Sequence, residues 1–252
     1  MKIKYINFQR EKTNIRCKVY YQDNMEMNSM VIYGHGFAGH KDNKAAERLA
    51  DKLLSKNKGF ALLTFDLPCH GEDVRKKLYM SDCIMYYDVV IHDAKDVLGA
   101  EKLYLNATSF GAFLTLKYIH ENGNPFEKIV LRSPAINMFK TVSDSMVTEE
   151  VKEKLRKKKE AEIGFDRKVI INQQFLDDLE STDLTKMDFI DYADDILIMH
   201  GTKDEIAPYD DAKQFCEDNV IEFLPVEDAD HRYKDLKKME YANAMTLSFY
   251  GL

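Results

Sequence analysis

The chain has 252 residues, of which 45% are hydrophobic and 31% are charged, and its 36 Lys and Arg against 43 Asp and Glu give a formal net charge of −7. This composition is typical of a globular protein with one sizeable core. The acidic balance excludes a protein that binds nucleic acid mainly through phosphate contacts and disfavours acidic membranes, so we expect neither as a partner.

The N-terminal sequence and the cysteines both bear on location. Residues 1–12 contain no apolar signal-peptide core, and no run in the chain approaches the ~18 apolar residues of a membrane span. The spacing of Cys17, Cys69, Cys83 and Cys216 matches neither a disulfide framework nor a CxxC site. We therefore expect reduced thiols and a cytoplasmic location.

The predicted elements begin with an antiparallel hairpin, indicated by alternating apolar residues within the first 20 positions. Helical patterns follow at Asn43 to Lys56 and at Phe110 to His120. Short apolar runs, typical of strands buried on both faces, lie before, between and after them: Met30 to Tyr33, Phe60 to Phe65, Leu103 to Leu105, Ile129 to Leu131, Ile196 to Met199 and, more weakly, Val220 to Leu224. This alternation predicts an α/β fold with a mostly parallel central sheet and helices on both faces.

The alternation stops between Pro134 and Asp195, where no strand-like run occurs. Within this stretch, Glu149 to Glu160 carries ten charged residues. Glu and Lys at helical spacing favour a solvated helix there over a nucleic-acid site. The sequence contains no internal repeat or low-complexity linker, so we predict one domain over residues 1–252 with an inserted helical lid at residues 135–195.

The most informative segment is Leu103-Tyr-Leu-Asn-Ala-Thr-Ser-Phe-Gly-Ala, a short strand, a turn with Ser109 at its apex and a helix. It resembles the GxSxG nucleophile elbow of the α/β-hydrolase family. Ala107 replaces the first glycine of that pattern. The replacement is mild, because the position needs a small residue and Ala adds one methyl group.

Two later motifs supply the partners that a serine nucleophile requires, in the chain order of this family. His200-Gly-Thr-Lys-Asp204 resembles the loop that carries the acid, and Ala229-Asp-His231 is similar to the loop that carries the general base. A serine hydroxyl is a weak nucleophile until an imidazole takes its proton, and the imidazole needs a carboxylate to orient it. The resemblance therefore implies a triad of Ser109, His231 and Asp204.

Two further motifs extend the resemblance over most of the chain. Gly34-His35-Gly36-Phe37 is similar to the family's oxyanion loop, which implies that the backbone N–H groups of Phe37 and Phe110 bind the negative oxygen of the tetrahedral intermediate. Asp66-Leu-Pro-Cys-His70-Gly looks like a turn common in the superfamily, and we interpret it as structural.

The remaining histidines and carboxylates have weaker settings. His35 and His200 are expected to shape the oxyanion turn and the acid loop, whereas His92 and His120 fall in helical patterns typical of surface or packing residues. His40 and His70 stand in Gly-rich turns, where a turn-forming hydrogen bond is the usual role.

Asp228 and Asp230 are close to His231 in sequence, but neighbouring side chains in a turn usually point apart, which favours Asp204 as the acid. No HExxH-type spacing occurs in the chain, so we expect no metal and no cofactor.

The resemblance implies a serine hydrolase that cleaves carboxylic esters of small or medium acyl groups through an acyl-enzyme. The position of the lid is similar to that of small bacterial carboxylesterases, including feruloyl (cinnamoyl) esterases. The same triad also serves peptidases, thioesterases and acyltransferases, and a non-catalytic hydrolase shell that binds a ligand is a further alternative. The expected partner is a small-molecule ester. Whether two copies form a homodimer stays open.

Overall fold

Ten β-strands make up the sheets of the computed structural model, which describes residues 1–10, 13–23, 26–73 and 77–252. Strands β7 and β8 pair with each other, and the other eight form one sheet. In chain order the strands are β1 (Lys2–Arg10), β2 (Thr13–Tyr21), β3 (Ser29–Gly34), β4 (Phe60–Phe65), β5 (Lys102–Thr108), β6 (Lys128–Arg132), β7 (Ala161–Ile163), β8 (Val169–Ile171), β9 (Ile196–Gly201) and β10 (Glu222–Val226).

The eight-stranded sheet has the order β1-β2-β4-β3-β5-β6-β9-β10. Strands β1 and β2 form the predicted antiparallel hairpin, and β2 pairs antiparallel with β4. All neighbours from β4 to β10 are parallel. The predicted mostly parallel sheet is therefore confirmed, and its carboxyl-terminal edge collects the loops in which ligand sites of such sheets usually lie.

The last strand begins later than the sequence predicts. Val220 belongs to an apolar run, yet its φ is 57°, it caps the preceding helix and it is 73% exposed. Strand β10 starts at Glu222 and pairs with β9. Hydrophobicity alone does not reveal which residue ends a helix, so this boundary could not be derived from the apolar run.

Helices cover both faces of the sheet. Those of the described residues are α1 (Lys44–Lys56), α2 (Met80–Asp96), α3 (Phe110–Asn122), α4 (Met138–Ser145), α5 (Glu149–Arg156), α6 (Gln173–Ser181), α7 (Tyr209–Asn219) and α8 (Leu236–Phe249). Helices α1 and α8 share one apolar cluster with one face of the sheet, whereas α2, α3 and α7 share a larger cluster with the other. None of the described helices is long and apolar enough to cross a membrane.

The ends of two predicted helices have clear local causes. The Asn43 side chain caps α1 by accepting the N–H of Ala46 at 2.8 Å, which satisfies one of the N–H groups left free at a helix start. Helix α3 ends before Gly123, whose φ of 83° suits glycine best. Both helices thus begin and end within two residues of their predicted limits.

The segment between β6 and β9 departs from the parallel alternation, as the sequence predicts, but it is not helical throughout. It contains α4, α5 and α6 together with the antiparallel pair β7 and β8. On α5, Glu149 pairs with Lys152 at 2.6 Å and Glu150 with Lys154 at 2.7 Å. The first eight residues of the charged stretch therefore form a helix with a solvated face, and the remaining four, residues 157–160, lie beyond its end. The three-residue strands were missed because each supplies only two buried side chains.

Candidate active site

Ser109 stands at the junction between β5 and α3. Its φ of 53° and ψ of −116° form a combination that residues with a side chain rarely adopt. Its N–H donates to the carbonyl oxygen of Arg132 at 3.1 Å, which ties the turn to the neighbouring strand β6. Strand, turn and helix occur in the predicted order, and the turn holds Ser109 at the carboxyl-terminal edge of the sheet.

Close packing explains the small residues on either side of Ser109. A Cβ at Gly111 would lie 2.6 Å from the carbonyl oxygen of Gly34 and 2.7 Å from that of His35. Because these are backbone atoms, only glycine fits there. Ala107 pairs with Gly34 across the sheet, and a Cβ at Gly34 would lie 3.2 Å from that of Ala107. Glycine at position 34 thus leaves room for the methyl group of Ala107.

Asp204 and His231 meet from the loops after β9 and β10. Nδ1 of His231 lies 2.8 Å from Oδ2 and 3.0 Å from Oδ1 of the buried Asp204 carboxylate. Oδ1 also accepts the N–H groups of Ile206 and Ala207 at 2.9 and 2.8 Å. Since Nδ1 of His231 faces a carboxylate, it carries a hydrogen, and Nε2 is the ring nitrogen able to accept a proton.

A second histidine, His200, contacts the same carboxylate. Its Nε2 lies 3.0 Å from Oδ2 of Asp204 and 3.0 Å from the carbonyl oxygen of Ala207. Both neighbours are acceptors, so Nε2 carries a hydrogen. Burial by itself raises the pKa of Asp204, but hydrogen bonds from His200 and His231 outweigh it and hold the pKa below its ordinary value. Asp204 therefore stays ionised.

The other two carboxylates near His231 have different partners. Asp228 pairs with Lys203 at 2.6 Å, and Asp230 accepts the N–H of Lys234 at 2.8 Å. The structure therefore brings Asp204, and neither of these two, to the His231 ring. The direct contact from His200 was not predicted, although the position of His200 four residues before Asp204 could have suggested one.

The loop after β3 lies directly against Ser109. A Cβ at Gly36 would be 3.3 Å from that of Ser109. The Phe37 ring packs edge-on against the Phe110 ring with 5.5 Å between centroids. Phe110 is the first residue of α3, where a helix offers its N–H no internal acceptor. Phe37 and Phe110, whose N–H groups were predicted to bind the oxyanion, are thus neighbours, and each is adjacent in sequence to one of the two residues in contact, Gly36 and Ser109.

Two buried histidines, His35 and His70, form hydrogen bonds with the backbone of this loop and of the turn after β4. His35 donates from Nδ1 to the carbonyl oxygen of Gly36 at 2.8 Å and accepts the N–H of Leu67 at Nε2. His70 donates from Nδ1 to the carbonyl oxygen of Pro68 at 2.7 Å. Burial lowers the pKa of His35 to about 3 and that of His70 to about 4, so both rings are neutral. Their contacts indicate structural roles.

A cavity of about 340 Å³ opens above the serine and is lined by both Ser109 and His231. The loop at residues 35–39 forms one wall. Helix α4 and the turn at residues 164–167, between β7 and β8, form another. His40 lines the same cavity, and its Nδ1 accepts the N–H of Asp42 at 3.1 Å. This volume suits a small ligand.

No group of three His, Cys, Asp or Glu side chains among residues 1–10, 13–23, 26–73 and 77–252 is arranged to hold a metal ion. The polar side chains that line the cavity include instead the Ser109 hydroxyl and the His231 imidazole, and the N–H groups of Phe37 and Phe110 belong to the adjoining loop and helix start. Such a set can activate a serine and stabilise an oxyanion, which is the equipment for acyl transfer.

Comparisons with known proteins agree with this fold. A family model described as the alpha/beta hydrolase fold matches residues 30–170. Est1E from Butyrivibrio proteoclasticus, solved with ferulic acid bound, is 16% identical and superposes with a TM-score of 0.77, covering 98% of this chain and 100% of its own. No curated protein sequence matches closely enough to indicate a relationship.

Two other solved structures are similar over nearly their whole length. A putative hydrolase from Agrobacterium vitis S4 is 18% identical with a TM-score of 0.75, covering 98% of both chains. The esterase domain of a Rhodothermus marinus protein is 15% identical with a TM-score of 0.67, covering 97% of this chain and 96% of its own. At these identities the similarity establishes the fold.

Proposed function

The chain belongs to the alpha/beta hydrolase fold family, and from this membership and the site geometry we propose that it is a serine hydrolase cleaving carboxylic esters of small or medium acyl groups. Ser109 is the nucleophile, His231 the general base and Asp204 the carboxylate that orients it. The observation that carries the proposal is the contact of His231 Nδ1 with Asp204 beside a cavity that Ser109 also lines.

In the first half of the reaction, Oγ of Ser109 attacks the ester carbonyl carbon while Nε2 of His231 takes the hydroxyl proton. The N–H groups of Phe37 and Phe110 bind the oxygen that becomes negative. When the tetrahedral intermediate collapses, the C–O bond to the alcohol breaks. The leaving oxygen takes the proton from His231, and the acyl group stays on Ser109.

In the second half, a water molecule attacks the acyl carbon and gives a proton to Nε2 of His231. The new tetrahedral intermediate collapses, the bond to Ser109 breaks, and the serine oxygen recovers that proton. The products are one carboxylic acid and one alcohol. Throughout, the ionised Asp204 stabilises the positive charge that His231 carries in each transition state.

The segment at residues 135–195 acts as a lid in this proposal. Helix α4 contributes Met138 and Thr141 to the cavity wall, and the turn between β7 and β8 contributes Phe165. Phe175 of α6 stacks on Phe37 with 6.1 Å between centroids. Substrate preference would therefore depend on this segment, including any preference for the aromatic acyl groups that feruloyl esterases accept.

The test is hydrolysis of p-nitrophenyl esters from acetate to laurate, with methyl ferulate in parallel, by wild type and by Ser109→Ala. We expect turnover of at least one short or medium ester, and a kcat at least ~10⁴-fold lower for Ser109→Ala, because the serine, histidine and aspartate act as a unit. A fluorophosphonate probe should label the wild type at Ser109.

Ser181→Ala is the matched control, because Ser181 lies on the exposed end of α6 and bonds the carbonyl oxygen of Asp178. It should keep wild-type rates. Acyl thioesters and peptide amides of the same chain length separate the related activities. If Ser109 is labelled and only the thioester is turned over, the protein is a thioesterase, and if only the amide is turned over, it is a peptidase. If Ser109 is not labelled, the protein is a non-catalytic hydrolase shell that binds a ligand.

A further inference from the structure

Arg132, the last residue of β6, is a buried cation without a carboxylate partner. It is only 9% exposed. Nη1 donates to the sulfur of Met239 at 2.9 Å, Nη2 reaches the Thr108 hydroxyl at 3.5 Å, and Nε has no hydrogen-bond partner. The guanidinium carbon lies 5.1 Å from the centre of the Tyr233 ring. No carboxylate of the described residues forms an ion pair with it.

The other buried cations among the described residues, Lys18 and Lys41, each have a carboxylate partner. Lys18 pairs with Asp42 at 3.0 Å. Lys41 pairs with Asp66 at 3.2 Å and with Glu72 at 2.6 Å. A buried charge is costly unless it is paired, and an arginine does not lose its charge to avoid that cost. Arg132 is therefore an exception that needs an explanation.

Beside Arg132 lie two more buried polar groups, the hydroxyls of Ser133 and Tyr233, which face each other and have no other hydrogen-bond partner among the described residues. Both residues have positive φ, 46° and 51°. Unsatisfied polar groups and strained backbone are rare in a folded interior and concentrate at functional sites. The three residues form a polar cluster, here called the Arg132 cluster, at the end of β6.

The Arg132 side chain also lines the cavity that contains Ser109. Thr108 and Arg132 are paired residues on β5 and β6, so Arg132 lies on the strand next to the one that leads into Ser109. It shares its face of the sheet with Tyr33, and both line the cavity on the side of α1. A group bound by Arg132 would therefore be a neighbour of the ester bond.

The charge of the cavity supports an anionic ligand. Among the described residues, its lining includes three arginines, Arg132, Arg167 and Arg232, and one acidic residue, Asp166, which already pairs with Arg232 at 2.8 Å. The chain as a whole has a net charge of −7. A local excess of positive charge within an acidic protein concentrates anions at the cavity.

We propose that Arg132 binds a negatively charged group of the substrate, a carboxylate or a phosphate, close to the ester that Ser109 attacks. The guanidinium fork suits both, since each offers two oxygens for paired N–H bonds. That the bound molecule is an ester rests on the proposed function, whereas the anion site itself does not depend on it. Anionic esters are then preferred over neutral esters of the same shape.

The test uses three methyl esters that share three methylene groups and differ at the far end: methyl pentanoate, monomethyl glutarate and methyl 4-phosphonobutanoate. Their Kd values are measured by calorimetry on Ser109→Ala, which cannot turn them over, and kcat/KM is measured on the wild-type enzyme. We expect one anionic ester to bind at least ~10-fold more tightly than the neutral one, as charge-assisted hydrogen bonds in a buried site do. Whichever of the glutarate and phosphonate binds better identifies the anion.

Arg132→Met should reduce that ratio to within ~2-fold, and Arg132→Lys should retain part of it, because lysine keeps the charge but lacks the planar fork. Arg48→Gln is the matched control. It removes an arginine from the exposed face of α1, outside the cavity, so the ratio should stay near that of the wild type.

Two outcomes separate this inference from the proposed function. Turnover of the neutral ester with equal affinity for all three probes, unchanged in Arg132→Met, would overturn the anion site and leave the esterase intact. Selective binding of an anionic probe that depends on Arg132, without turnover of any ester, would support the anion site and overturn the esterase. Circular dichroism confirms that each variant is folded before it is counted.

Discussion

Two polar clusters lie at the same edge of the sheet, and they treat buried charge in opposite ways. Around Asp204, two histidines and two backbone N–H groups saturate the carboxylate. In the Arg132 cluster the guanidinium has no carboxylate partner among the described residues, and its Nε has no hydrogen-bond partner. The charge of Asp204 orients His231 within the protein. The charge of Arg132 remains available to bind an anionic ligand.

The largest effect should come from breaking the saturated cluster. Asp204→Asn keeps the shape but removes the charge that stabilises the protonated His231 and selects its Nδ1–H form. We expect kcat on the best ester to fall by up to ~10⁴-fold. Asp230→Asn is the control, since Asp230 precedes His231 but bonds the N–H of Lys234. A rate within a few-fold of wild type for Asp204→Asn would mean that another carboxylate orients His231.

The pairing of Asp204 with His231 was predictable from sequence, because both residues stand in motifs that resemble loops of a known family. The elbow at Ser109 was predictable for the same reason, and its small residues also have a local cause. Gly111 shows this directly, since a Cβ there would meet two carbonyl oxygens. The buried strands were predictable for a similar reason, because parallel strands covered on both faces require continuous apolar runs.

The Arg132 cluster could not have been found in this way. Arg132 follows the apolar run Ile129 to Leu131, and a charged residue at a strand end is usually solvated. Only the packing of Tyr233 and Met239 around it, from more than a hundred residues later in the chain, shows that it is buried. The contact of His200 with Asp204 and the short strands β7 and β8 likewise depend on tertiary packing.

A pH series sharpens the comparison by showing the effect of burial where the opposing hydrogen bonds are too weak to outweigh it. Burial lowers the pKa of His35 to about 3 and of His70 to about 4, from 6.5. Only the unfolded chain therefore takes up protons on these rings as the pH falls through 6.5. Their contribution to stability is complete above that pH and is lost toward pH 4. Between pH 7 and pH 5 we expect a loss of about 2 kcal/mol for each ring in urea unfolding.

His70→Asn should remove about half of that pH dependence, because the Asn amide can still donate to the carbonyl oxygen of Pro68 but does not titrate. If the pH dependence of the free energy of unfolding is unchanged in His70→Asn, then His70 takes up a proton in the folded state, and burial does not lower its pKa.

The smallest expected effect tests the other half of the comparison. Replacing a buried cation that has no carboxylate by an apolar residue of similar size removes a desolvation cost and exposes no orphaned charge. We therefore expect the free energy of unfolding of Arg132→Met to lie no more than about 1 kcal/mol below that of the wild type, or to exceed it. Lys41→Met is the matched control. It strands Asp66, a buried carboxylate 3.2 Å away, and should lose about 3 kcal/mol or more. If both variants lose the same stability, Arg132 is a structural residue of the Tyr233 loop, and the two clusters do not differ in kind.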